Sequence, residues 1–106
     1  FDVAGDPLAG VAYQAALESL VRSLAQELGP RGIRVNTVNA GVVDTDALGY
    51  FPNREALLAE YAARTPAGPV LTPADVANAI YLLCLPEAAM INGTTLFVDG
   101  GFAISG

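Results

Sequence analysis

The sequence predicts an α/β fold with parallel strands, in a sheet that is incomplete as a free-standing unit. Three observations carry this. Residues 13–28 (YQAALESLVRSLAQEL) have helical apolar spacing and stop at Gly29-Pro30. Residues 33–38 (IRVNTV) are rich in β-branched side chains and lead into Asn39-Ala40-Gly41. After two more helical stretches, Thr94 to Val98 repeats a strand signature and closes on Asp99-Gly100-Gly101. A strand, helical crossover, strand order implies parallel strands joined right-handed. Two short parallel strands need neighbours.

Each element has its own justification. Residues 1–12 (FDVAGDPLAGVA) show no clear period; 1–4 read as the tail of a strand that Gly5-Asp6-Pro7 breaks. From Tyr13, apolar residues at 13, 16, 17, 20, 21, 24 and 28 draw one broad helical face. Glu18 and Arg22 stand four apart in the favourable acid-before-base order, and Gly29-Pro30 ends the helix. Residues 33–38 alternate without a clean polar side, as a strand covered on both faces does. Gly41 then permits a loop backbone that other residues resist. Asp44 to Pro52 is irregular. Asn53 is expected to N-cap a helix over 54–64, and Thr65-Pro66-Ala67-Gly68-Pro69 is a hard break. Thr72, with Pro73 next and Asp75 three residues on, is a helix-start signature for 73–84. Residues 86–93 are a turn region.

Composition excludes several function classes. At 106 residues the chain is one domain at most. A 53% hydrophobic content predicts apolar surface that is covered, by a second copy or by a complementing chain. No run approaches the ~18 apolar residues of a membrane span, and a net charge of −6 disfavours nucleic acid and anionic membranes. There is no His and no Lys; the five cations are Arg22, Arg31, Arg34, Arg54 and Arg64. Histidine proton transfer, histidine metal ligation and lysine chemistry are therefore excluded within this chain, and no metal site is expected. The single Cys84, in the apolar run 80–85, is expected to be a buried core thiol. The chain opens on Phe1 without a signal-peptide pattern. A cytoplasmic, processed or truncated polypeptide is the expectation.

Four segments in order, AALESLVRSLAQELGPRGIRVNTVNAG, VVDT, TPADVANAIYLL and INGTTLFVDGG, resemble the C-terminal half of the short-chain dehydrogenase/reductase family. FPNREALLAEYAARTPAGPV most resembles the enoyl-acyl-carrier-protein reductase III group. The resemblance implies a partial Rossmann-type domain over 1–106, with an interface helix at 13–28 and a strand and cofactor-side loop at 33–45. A variable lid follows at 46–70, then a helix and the last strand at 72–101. It implies NAD(P), hydride transfer to a carbonyl or enoyl thioester, acyl thioester or carrier-protein substrates, and pairing into oligomers through the long helix. Gly41, Val43 and Thr45 match positions at the nicotinamide end, provided the other half of the fold is present; Ala40 replaces the usual proline. Tyr50, Phe51 and Tyr61 fall in the substrate lid and line an acyl pocket or serve ordinary packing.

The catalytic positions do not match. The family lysine falls on Gln14, and the two tyrosine spacings known in the family fall on Gly10 and Pro7. Tyr13 is adjacent to Gln14, but one residue along a helix turns a side chain by about 100°. The Gly-rich dinucleotide loop is absent from these residues. Asp44 and Asp46 read as solvated caps, with metal or acid–base work as the alternative. Arg54 and Arg64 read as a solvated face or as contacts to an acidic carrier protein.

Three functions remain open at this point. The chain is a segment of an NAD(P)-dependent oxidoreductase resembling an enoyl thioester reductase, catalytically incomplete by itself. Alternatively it is a non-catalytic homologue that pairs its exposed sheet edge with another chain and needs no cofactor. Lastly, a small dimer reusing the pocket for isomerase or cyclase chemistry would draw on Tyr13, Asp44 or Tyr50 as acid–base groups.

Overall fold

The computed structural model describes residues 7–41, 43, 52–68 and 70–105. In chain order the elements are helix α1 (Pro7–Leu28), strand β1 (Thr37–Ala40), helix α2 (Arg54–Arg64), helix α3 (Pro73–Leu83) and strand β2 (Thr95–Val98). Short 3-10 turns occupy Gly29–Arg31, Pro86–Ala88 and Phe102–Ile104. β1 and β2 form a two-stranded sheet, the only sheet among the described residues. Thr37 N donates to Thr94 O (2.9 Å) and Gly41 N to Val98 O (3.1 Å), so both residue numbers rise together and the pair is parallel. This is the expected α/β arrangement of helix, strand, two helices and strand. No described helix is long and apolar enough to cross a membrane.

The chain divides into two compact units, Phe1–Thr37 with Glu87–Thr95, and Val38–Pro86 with Leu96–Gly106. In the first, α1 begins at Pro7, six residues before the apolar period becomes regular. Proline at the first helical position loses no intrahelical bond, so the expected breaker is the helix start. Val21 and Ala25 of α1 and Ala88 are the buried apolar residues of this unit. Tyr13, Ala16 and Leu20, at spacings of three and four, are left exposed as a stripe along the helix.

Residues 33–36 do not join the ladder, contrary to the expected strand. Val35 N donates to the Asn92 Oδ1 (3.0 Å) instead of to a strand carbonyl. The Asn36 carboxamide donates to Ile91 O (3.0 Å) and accepts from Thr94 N (3.1 Å). Side-chain amides thus occupy the backbone groups that regular pairing would use, and the ladder starts at Thr37.

In the second unit, α2 covers the residues expected of it, but Asn53 makes no side-chain cap. Its backbone (φ −112°, ψ 32°) departs from the extended geometry that turns a capping side chain toward the first turn. α3 carries the full capping box: Asp75 N donates to Thr72 Oγ1 (3.3 Å) and Thr72 N to Asp75 Oδ2 (2.8 Å). Only Ala79 of α3 is buried, while Ile80, Tyr81 and Leu82 are exposed. Cys84 is exposed too, correcting the expectation of a core thiol. The run 80–85 is apolar around the whole helix end, and among the described residues only Leu83 and Leu85 of that run are even half-buried.

Candidate functional site

In open α/β sheets, ligands meet the carboxyl ends of the strands. Here that edge consists of Asn39 and Ala40 at the end of β1 with Gly41 after it, and of Asp99-Gly100-Gly101 after β2, all in the second unit. Gly41 and Asp99 approach closely: a Cβ added at Gly41 would stand 3.1 Å from Asp99 Cβ and 3.5 Å from a Leu71 methyl. Beside them Val43 and Leu71 form an isolated parallel bridge. The edge is therefore held by backbone contacts and small residues.

Asp99 shapes the turn after β2. Its Oδ1 accepts from Gly101 N (2.9 Å) and its Oδ2 from Ala103 N (3.0 Å), capping the 3-10 turn that carries Phe102. Gly100 and Gly101 have φ of 62° and 91°, where glycine alone is unstrained. Thr65, Pro66 and Ala67 pack on these two glycines, and Ala67 N donates to Gly100 O (2.9 Å). The end of α2 is thereby seated on the turn. Across it, the rings of Tyr61 and Phe102 lie 4.9 Å apart, tilted by 31°. The Arg64 guanidinium stands 4.8 Å from the centre of the Phe102 ring.

An open groove of about 500 Å³ results, bounded by Asn39, Ala40 and Gly41 on the β1 side and by Phe97, Asp99 and Ala103 on the β2 side. Tyr61 and Phe102 form its aromatic wall. The floor is small-residue backbone and the wall is flat and apolar. No Arg side chain lines the groove. Such a site suits a planar ring, with the Asp99 carboxylate as the charged group among the described lining residues.

Of the residues singled out from the sequence, Gly41 and Tyr61 line the groove and Val43 lies beside it in the bridge to Leu71. Asp44, Thr45, Asp46, Tyr50 and Phe51 lie outside the described residues. Tyr13 belongs to the first unit and is 59% exposed on α1. Gln14 Nε2 donates to Glu18 Oε1 (3.3 Å) one turn along the same helix. Sequence reasoning missed Phe102 and the partnership of Arg64 with it. The available signal was an aromatic residue directly after Asp99-Gly100-Gly101, which a positive-φ turn sends back over the strand ends.

The enoyl-(acyl carrier protein) reductase family model matches residues 5–103. The enoyl-[acyl-carrier-protein] reductase [NADH] FabI of Escherichia coli is 39% identical over 92 residues, which cover 87% of this chain and 35% of that protein. The 1-cyclohexenylcarbonyl-CoA reductase of Streptomyces collinus is 42% identical over 93 residues, 86% of this chain and 33% of that one. Among solved structures, a 4-hydroxyisoleucine dehydrogenase mutant complexed with NADH and succinate superposes with a TM-score of 0.78 at 29% identity, over 92% of this chain and 40% of its own. The chain spans about a third of the length of the curated relatives it matches.

Proposed function

Because this chain belongs to the enoyl-(acyl carrier protein) reductase family of short-chain dehydrogenases/reductases, we propose that it supplies the nicotinamide-side and substrate-side portion of an NAD(P)-dependent oxidoreductase. The observation that carries this is the groove at the carboxyl ends of β1 and β2, walled by Tyr61 and Phe102 and floored by Gly41. A bound NAD(P)H supplies the hydride. The chain's own residues bind and orient: Gly41 leaves room for a flat ring at the sheet edge, and Val43 and Thr45 follow it in the sequence. Asp99 holds the turn that places Phe102, and Tyr61 contacts the acyl part of an enoyl or carbonyl thioester. The substrate class rests on relatives whose names specify enoyl-acyl-carrier-protein and acyl-CoA reduction. FPNRE and TPAG favour the reductase III group within that class.

The same residues argue that this chain alone does not turn over substrate. It has no lysine, and the position that resembles the family lysine is Gln14, engaged with Glu18. That pairing favours one second reading, a non-catalytic homologue that completes its sheet with a partner. The exposed stripe of Tyr13, Ala16 and Leu20 supports pairing through α1 in either case.

Native mass of the purified protein followed by NAD(P)H titration separates the readings. A species heavier than 10.9 kDa that contains a dinucleotide-binding segment and quenches on cofactor addition supports the oxidoreductase. Failure of that assembly to bind either cofactor, with the fold intact by circular dichroism, rejects it and leaves the partner-subunit reading.

A further inference from the structure

Helix α2 meets the turn after β2 through the Phe102 side chain, beside the backbone contacts of residues 65–67 that follow the helix. Phe102 meets both Tyr61 (4.9 Å between centroids) and the Arg64 guanidinium (4.8 Å to its centroid). Tyr61 and Arg64 are three apart, so both project from the same side of the last turn of α2 toward that ring. Phe102 is set by the Asp99 carboxylate, which caps its turn from two backbone amides. Beyond the ring, a second and smaller cleft of about 100 Å³ lies between Leu57, Glu60, Tyr61, Arg64 and Phe102. Tyr61 and Phe102 line both the strand-end groove and this cleft, so the pair is shared between them.

We propose that Phe102 is the positioning residue that latches α2 to the strand-end turn, and that its ring sets the width of the groove and hence the bulk of acyl group admitted beside Gly41. The width arm of this proposal rests on the reading of the groove as a substrate site; the latch does not. The latch is made of an aromatic pair and a cation over a ring face, interactions that depend on the face of the ring and not only on apolar area. Losing the ring frees the end of α2 without touching α3, whose capping box is independent of it. The lining shared by groove and cleft then opens.

Amide hydrogen exchange of the full chain tests the latch, with 76–83 of α3 as internal reference. Phe102→Ala is expected to speed exchange of amides 58–64 about tenfold relative to α3. Phe102→Leu, which keeps apolar bulk but removes the ring face, does so about threefold, and Phe102→Tyr restores the parent rate. If Phe102→Ala loosens α3 equally, Phe102→Leu decides: unchanged exchange at 58–64 in that variant overturns the proposal. For the width, binding of straight-chain and β-branched trans-2-enoyl thioesters to the cofactor-binding assembly is compared by competition. Phe102→Ala is expected to raise the branched-to-straight affinity ratio about tenfold. An unchanged ratio, with both thioesters bound, overturns the width arm. If the parent assembly binds no thioester, the substrate reading and the width arm fail together, while the exchange result still decides the latch.

Discussion

Asn36 and Asn92 clamp each other's backbone segments. Asn92 accepts from Val35 N (3.0 Å), the residue before Asn36, and donates to Ala25 O (3.1 Å) in the last turn of α1. Asn36 in turn donates to Ile91 O and accepts from Thr94 N, the residues on either side of Asn92 and Gly93. Ala25 O lies in the last turn of α1 (Pro7–Leu28), where carbonyls face the end of the helix. One carboxamide therefore caps α1 and anchors the approach to β1 at once. Both carboxamides use a donor and an acceptor, so an aspartate at either position keeps the shape but loses the donating half.

Asn92→Ala removes both bonds and leaves Val35 N and Ala25 O to find water. At about 1 kcal/mol for each net hydrogen bond, with more where a group stays unsatisfied, we expect about 2 kcal/mol of destabilisation. Asn92→Asp is expected to cost nearly as much, since its carboxylate faces the Ala25 carbonyl without a proton to donate. Urea denaturation of the three proteins checks the order. Equal stability of Asn92→Asp and the parent would show that the bond to Ala25 O contributes nothing.

The glycines after β2 give a sharper prediction. A Cβ at Gly100 would stand 2.5 Å from Thr65 Cγ2 and 3.2 Å from Ala67 Cβ, at a φ of 62°. The left-handed backbone alone costs an alanine about 1–2 kcal/mol, and the steric overlap adds to that. Gly100→Ala is therefore expected to lose at least ~2 kcal/mol and to break the Ala67 N to Gly100 O bond. Gly32→Ala, at a φ of 82° with nothing within 4 Å of its Cβ, isolates the backbone cost as the control. Thermal melts showing the two variants equal would sink the steric part.

At Gly41 the backbone is unremarkable and the crowding is with Asp99. Because the Asp99 carboxylate is fixed by Gly101 N and Ala103 N, its Cβ has little freedom to retreat from a methyl group 3.1 Å away. Overpacking of this kind costs about 1–3 kcal/mol. Gly41→Ala is expected at the low end, with the β1 edge pushed off the turn. A double variant with Asp99→Ala should recover part of that loss by freeing the Cβ to move. Strict additivity of the two changes would show that Gly41 and Asp99 are not coupled.

Much of this architecture was legible because its causes are local. Thr72, Pro73 and Asp75 announce α3 by spacing alone, and the capping box forms as read. The β-branched strands and the Gly-Pro stop are equally short-range signals. Asn53 failed as a cap because a backbone angle, not a residue type, decides whether the side chain turns inward. The start of α1 was missed because Pro7 reads as a breaker in isolation and as a first helical residue in context. What the sequence hid is long-range: Asn92 reaching Ala25 and Val35, or Phe102 meeting Tyr61 and Arg64. No periodicity encodes such pairs. Cys84 misled for a related reason, since an apolar run predicts burial only where something packs on it.

Gln14 offers the last test, on chemistry instead of packing. Its amide donates to Glu18 Oε1 at 3.3 Å, one turn away on α1. Gln14→Lys introduces the lysine that the family resemblance proposes for this position. The new ammonium meets the same Glu18 partner, in the less favourable base-before-acid order, for ~0.2–0.5 kcal/mol at most. Gly10, one turn earlier, brings no hydroxyl to the reaction, and the assigned tyrosine spacings stay empty of a proton donor. We therefore expect neither the parent chain nor Gln14→Lys to oxidise NADH or NADPH with a trans-2-enoyl thioester, by absorbance at fixed cofactor. Turnover by the variant and not by the parent would place the missing chemistry at residue 14 and make Tyr13 or the Asp44–Phe51 segment the source of the proton.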